Sequence, residues 1–235
     1  MSNLDFSFMS ECAEKLLSAV PVTLLMVGIS LLLSIVIGFI VAITRILKVP
    51  IIAKLFSGLV TFIRGIPIMV QLYISFFAIP LLIQQITNSE KVININPLVF
   101  AISALTINYI AIFSEVIRPA ILSIDHGQYE ASYSIGENRF LTMKRVILPQ
   151  AFVVALPNFQ NSTAQLIKDS SLSYMVMVMD ITGKAKSLGS ENLNYFEAYL
   201  VAGLFYWAIN LTVEVIYKKL EVDFGKFMKQ KNTIS

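Results

Sequence analysis

The run from Val22 to Ile43 contains no charged residue and is rich in Leu, Ile and Val. A helix needs roughly 20 mostly apolar residues to cross about 30 Å of hydrocarbon at 1.5 Å per residue, so this run predicts a membrane span. Three further stretches repeat the pattern. Gly65 to Ile86 is uncharged but interrupted by Pro67, Gln71 and Pro80. Val92 to Ser114 is uncharged, with Pro97 near its start and Glu115, Arg118 and Pro119 closing its far end. Ala198 to Tyr217 carries Tyr206 and Trp207. With 56% apolar and 14% charged residues, the chain lacks the polar outer face that a soluble helical domain of this size needs. Gly28 and Gly38 offer close-packing points on the first span.

The remaining candidate, Val146 to Ile167, is uncharged but holds Pro149, Pro157, Asn158, Gln160, Asn161, Ser162, Thr163 and Gln165. Every polar group in hydrocarbon needs a partner, so this segment is expected to face protein or a water-filled path. Lys168 and Asp169 follow it, then a second apolar piece from Leu172 to Met179, as though one span were broken near its middle. Broken spans commonly line binding sites.

Five spans place the termini on opposite sides. One side receives Arg45, Lys48, Lys54, Arg118, Arg139, Lys144, Arg145, Lys218, Lys219, Lys226, Lys229 and Lys231, and the other Lys15, Lys91, Lys184 and Lys186. The positive-inside bias then puts the C-terminus in the cytoplasm and the N-terminus outside. The division expected is an extracytoplasmic segment 1–20, a membrane domain 21–220 and a cytoplasmic tail 221–235. Phe6, Phe8, Met9, Leu16 and Leu17 could form a short interfacial helix or a loosely ordered terminus. The net charge of +3 suggests no field for nucleic acid, and one cysteine (Cys12) and one histidine (His126) leave no metal-ligand set. His126 reads as a loop residue, and Met175, Met177 and Met179 as packing.

The connection Ser123 to Pro149, SIDHGQYEASYSIGENRFLTMKRVILP, differs from the rest. Gly127 opens a short helical stretch, Glu130 to Ile135 form its body, and Gly136 ends it. A second amphipathic piece with Phe140, Met143, Val146 and Ile147 leads to Pro149. This loop resembles the cytoplasmic loop of permease subunits of ATP-binding-cassette importers, whose pattern is E-A-A, three residues, G, about nine residues, I-x-L-P. Glu130, Ala131 and Ser132, then Gly136, then Val146, Ile147, Leu148 and Pro149 hold that register, with Ser132 and Val146 as departures.

Arg64-Gly65-Ile66-Pro67 with Gln71, Ser114-Glu115 with Arg118, Gly127-Gln128, and Lys168-Asp169-Ser170-Ser171-Leu172 resemble R-G-T-P, A-E-x-x-R, G-Q and K-D-T-S-L segments of the polar-amino-acid branch. Pro119 stands where that branch has glycine. The similarity covers about residues 20 to 220.

The resemblance implies an all-α integral membrane protein of about five spans with a cytoplasmic coupling helix, similar to type I importer permeases. Gly127, Glu130, Ala131, Ser132, Ile135, Gly136, Leu148 and Pro149 would couple to a separate ATPase. Implied partners are ATPase subunits that hold ATP and Mg, a second permease, identical or related, an extracytoplasmic solute-binding protein, and an amino acid, with cystine or another neutral one as the example. This chain would bind no cofactor and hydrolyse nothing, and it contains no G-x-x-x-x-G-K-[ST] phosphate loop.

Charges within spans cost about 2.5 to 3.5 kcal/mol each, so Arg64, Lys168 and Asp169 should find partners or water. With Gln71, Glu115, Gln165 and Ser170 they are the candidates for a solute path, since a zwitterion needs both a cationic and an anionic complement. The opposing structural readings are an Arg64 in the headgroup zone, a Lys168 to Asp169 pair, a Glu115 to Arg118 bridge, and interhelical hydrogen bonds for the glutamines. A secondary transporter or channel is the first alternative function, disfavoured by five spans without an internal repeat. An intramembrane enzyme is the second, disfavoured by the lack of a nucleophile, base or metal cluster.

Overall fold

The computed structural model describes residues 4–88 and 95–234, with side chains as far as Lys226. Lys91 and the expected start of the third span at Val92 lie outside the described residues, as do the side chains of Lys229 and Lys231.

The described chain is helical: α1 (Phe6–Leu17), α2 (Val20–Ile46), α3 (Ile52–Gly65), α4 (Ile68–Thr87), α5 (Pro97–Leu122), α6 (His126–Ser134), α7 (Arg139–Thr142), α8 (Leu148–Ser170), α9 (Ile181–Asn192) and α10 (Tyr195–Ile234). Among the described residues, five segments are long and apolar enough to cross a bilayer: Val20–Ile46, Ile68–Thr87, Pro97–Leu122, Arg139–Val176 and Tyr195–Lys226.

Helix α5 is the centre of the bundle. Its Tyr109 and Phe113 are fully buried, and α2, α3, α4 and α8 pack around it. Helix α2 approaches α5 closely at Gly38, where an added Cβ would lie 3.1 Å from the Ile110 carbonyl oxygen and 3.2 Å from the Ser114 nitrogen. Between membrane helices, where dispersion replaces the hydrophobic effect as the driving force, such backbone proximity is a main source of cohesion. Gly28 has no such neighbour, so only one of the two expected packing points is used.

Several boundaries differ from the sequence reading for identifiable reasons. The second span is preceded by a separate helix, α3, which packs Val60 against Val41 and Ala111. The break falls at Ile66, extended at φ −102° and ψ 128° as the residue before Pro67 prefers. The third span does not stop at Pro119: the Ser123 amide donates to the Pro119 carbonyl at 2.8 Å, and α5 runs to Leu122. His126 is the first residue of α6 rather than a loop residue, because the Asp125 carboxylate caps the helix by accepting from the Gly127 amide. Met177 and Met179 are 70% and 52% exposed, not packed, since a left-handed backbone at Met177 (φ 67°) ends the 3-10 turn Ser171–Val176 and leads the chain outward.

A second, smaller core joins α1, α9 and α10 at the end of the bundle opposite α6. There Phe8, Cys12 and Leu16 meet Ile181, Leu188 and Val201. Polar α9, unforeseen in the sequence, is anchored by Asp180. Its carboxylate accepts from the Gly183 amide at 2.8 Å and the Tyr206 hydroxyl at 3.0 Å, while the Ile181 amide donates to Thr23 of α2. Burial pushes the Asp180 carboxyl up to about 6, against the hydrogen bonds from Gly183, Tyr206 and Thr182 that pull it down.

Candidate functional site

Halfway along α5, the Tyr109 hydroxyl donates to Asp169 Oδ2 at 2.7 Å. One turn back on α8, Gln165 Nε2 donates to Asp169 Oδ1 at 2.8 Å. Both carboxylate oxygens therefore receive a neutral donor, and the negative charge is left without an ion-pair partner among the described residues. Lys168 is exposed on the neighbouring face of the same turn and makes no ion pair with Asp169. A carboxylate and an ammonium that make no ion pair thus stand side by side in the last turn of α8. Ser170 is turned away: it is buried, and its hydroxyl donates to the Ile167 carbonyl.

The other path candidates lie elsewhere. Arg64 is exposed in the last turn of α3, where the helix dipole favours a cation, and it has no ion-pair partner among the described residues. Gln71 closes the α3 to α4 break, its Nε2 donating to the carbonyls of Ile63 at 3.0 Å and Ile66 at 2.9 Å. Its Oε1 is buried and unpaired. Glu115 does not bridge Arg118. It pairs with Arg45 of α2 at 2.5 Å, and the Arg45 Nε donates to Ser57 of α3 at 3.1 Å, tying three helices together. Glu115 lies six residues beyond Tyr109, about 9 Å along α5.

Tyr109 and Arg45 are the residues that sequence reasoning missed. A tyrosine inside an apolar run reads as packing, and a partner 70 positions away escapes any local spacing rule. The cue for Arg45 was weak but present: both it and Glu115 sit where spans end on the same side.

At the α6 end, Gly136 adopts φ +83°. The Gly136 amide donates to the Tyr133 carbonyl at 3.0 Å and the Glu137 amide to the Ser132 carbonyl at 3.2 Å, closing the C-terminus of α6. Past this corner come α7 and a π-helical turn, Met143–Ile147, in which the Leu148 amide reaches back to the Met143 carbonyl. Pro149 explains the wide turn, because it has no amide for the Arg145 carbonyl and its ring crowds that position. The helix thereby continues unbroken from α7 into α8. Glu130 and Ala131 are exposed on α6, Ser132 is buried, and Tyr133, Ile135 and Phe140 are 43%, 79% and 71% exposed around the corner. Three large apolar side chains offered to water on a polar loop suit a protein partner.

Binding-protein-dependent transport system inner membrane components match residues 34–225. The chain is 32% identical over 226 residues to the probable amino-acid permease protein YxeN of Bacillus subtilis (strain 168), covering 96% of this chain and 98% of that one. It is 34% identical over 217 residues to the L-cystine transport system permease protein TcyL of the same organism, covering 92% and 90%. Among solved structures, a crystal structure of an amino acid ABC transporter with histidines aligns with a TM-score of 0.81 at 27% identity, covering 94% of this chain and 100% of that chain. An inward-facing MetNI methionine ABC transporter, at 20% identity and a TM-score of 0.72, shares the fold.

Proposed function

The chain belongs to the family of binding-protein-dependent transport system inner membrane components, and we propose that within it this subunit passes a polar amino acid through the membrane, with a neutral one such as cystine as the first candidate. It is a multi-pass membrane protein and the permease part of an ABC transporter complex with ATPase subunits and a binding protein. Hydrolysis of ATP, with its Mg, resides in those partners. The reading of the solute rests on the Asp169 carboxylate, oriented by neutral donors and free of a cation, beside the free Lys168 ammonium. A zwitterion supplies the complement of each charge.

In this reading the subunit pairs with a second permease, identical or related. Arg64 and Lys168 receive the solute's carboxylate in turn, Asp169 its ammonium, and Gln165 holds the Asp169 carboxylate for that contact, while Gln71 and Ser170, each bonded to backbone carbonyls of its own surroundings, stand outside the path. Segment 1–20 faces outward, 21–220 is the membrane domain, and 221–235 lies in the cytoplasm, where α10 ends at Ile234. Gly127, Glu130, Ala131, Ile135 and Gly136 form the surface that an ATPase subunit moves, with the buried Ser132 behind it and Leu148 and Pro149 leading motion into α8. Glu115 falls outside the path, since its charge is already spent on Arg45.

The test is uptake of a labelled amino-acid panel including L-cystine by vesicles containing the complete complex. Lys168→Ala and Arg64→Ala should each lower uptake about tenfold or more, the weight of one charge-assisted hydrogen bond, while the amount of assembled complex stays within twofold. Equal loss of uptake and assembly would assign both residues to structure. Uptake that persists without nucleotide would favour a secondary transporter instead.

Orientation has its own test. Cys12 is the only cysteine, so Lys229→Cys in a Cys12→Ser background should react with an impermeant maleimide only after the cells are opened. Labelling of intact cells would reverse the topology.

A further inference from the structure

The family pattern has alanine where this chain has Ser132, and the structure gives that hydroxyl a definite task. Ser132 is 4% exposed and Thr142 fully buried, although both lie in the stretch between α5 and α8, which is otherwise largely open to solvent. Ser132 Oγ lies 2.8 Å from Glu137 Oε2 and 2.9 Å from Thr142 Oγ1. Each hydroxyl carries one proton, and an ionised carboxylate only accepts. Ser132 therefore donates to Glu137 and accepts from Thr142, whose one proton is shared with the Asn138 carbonyl 3.0 Å away in its own turn. Glu137 Oε1 also faces the Arg145 guanidinium at 3.4 Å.

These residues belong to three different pieces. Ser132 is on α6, Glu137 follows the Gly136 corner, and Thr142 ends α7, directly before the π-helical turn that feeds α8. Apart from them, α6 is tied to the start of α8 by the Gly136 corner, by Tyr129, which packs on the same core as Met143 and Val146, and by an exposed contact between Gln128 and Gln150 at 3.2 Å, none of them a buried side-chain hydrogen bond across the corner.

We propose that the Thr142 to Ser132 to Glu137 chain is a clamp that makes α6 and the start of α8 move as one body, so that force applied to α6 travels along α8 rather than being lost at Gly136. Ser132, Glu137 and Thr142 are then positioning residues for coupling. The lever is long: α8 has 23 residues, about 34 Å, and its last turn carries Gln165, Lys168 and Asp169. A displacement at the clamp reaches the Tyr109 contact of Asp169 through one continuous helix. The proposal rests on the assignment of α6 as the surface moved by the ATPase.

The experiment measures labelled amino acid imported per ATP hydrolysed, in vesicles with the complete complex, using whichever of L-cystine, L-glutamine and the rest of a panel the unmodified complex imports best. Thr142→Val keeps the shape and removes the donor, and Glu137→Ala removes the acceptor. Both should keep at least half of the ATPase rate while importing at least tenfold less per ATP. Thr142→Ser and Glu137→Gln, which retain the hydrogen bonds, should keep the unmodified ratio. A merely structural role would lower both rates together. The clamp is overturned by an unchanged ratio in Thr142→Val and Glu137→Ala, or by equal uncoupling in the conservative pair. Should Thr142→Val fail to assemble, Glu137→Ala alone decides. Glu130→Lys separates the two layers of the argument. If it uncouples while the clamp variants do not, only the clamp falls; if it imports normally, the assignment of α6 falls with it.

Discussion

Gly136→Pro should leave an inserted, assembled complex that hydrolyses ATP and imports almost nothing, with uptake reduced at least tenfold and hydrolysis no longer responsive to solute. The corner requires φ +83° at this residue, whereas proline fixes φ near −65°. Proline also abolishes the bond from the Gly136 amide to the Tyr133 carbonyl. The chain must therefore leave α6 in a different direction, and the Glu137 carboxylate is carried away from Ser132. Gly136→Ala is the graded control. An added Cβ meets no atom within 4 Å, so its cost is the backbone strain alone, about 1 to 2 kcal/mol, and uptake should fall only partly. Uptake and hydrolysis measured on the same vesicles read the result. Normal import by Gly136→Pro would remove the corner from the mechanism.

This loop was legible in the sequence because its geometry is local. A glycine, a proline and an acidic helix start at fixed offsets determine a corner and a turn without reference to the rest of the molecule. The spans were legible for a similar reason: a bilayer demands long apolar runs, and α2 and α5 supply them with little ambiguity. What escaped was tertiary. Helix α3 went unread because it lies ahead of the expected second span, which was taken to begin at Gly65, whereas the backbone breaks at Ile66. Helix α9 has no apolar run, and it is held by its own cap, Asp180, and by Thr23 and Tyr206 from distant parts of the chain. Arg45 read only as one of the basic residues at the end of a span, and Glu115 as a path candidate or a bridge to Arg118, so their pairing was not foreseen. The candidate site was half legible: Gln165, Lys168 and Asp169 stood out as polar groups in an apolar context, while Tyr109, which sets the carboxylate's orientation, was hidden among aromatic packing residues.

Asp169→Asn is the sharpest probe of that half-hidden site. The amide keeps an acceptor for the Tyr109 hydroxyl and nearly the same volume, so the contact between α5 and α8 survives and assembly should stay within twofold. What disappears is the negative charge. A hydrogen bond to a charged group contributes about 1.5 to 3 kcal/mol, and at about 1.4 kcal/mol per tenfold this corresponds to a loss of uptake of roughly 10- to 150-fold. Asp169→Leu should lose at least as much uptake and also some complex, because the buried Tyr109 hydroxyl is then left without a partner, at a cost of about 1 to 3 kcal/mol. The separation between the two variants carries the inference: charge governs transport, and hydrogen bonding governs the fold. If Asn imports at the unmodified rate, or if uptake falls only in step with the amount of complex in both variants, the carboxylate holds helices together and the solute's ammonium is received elsewhere.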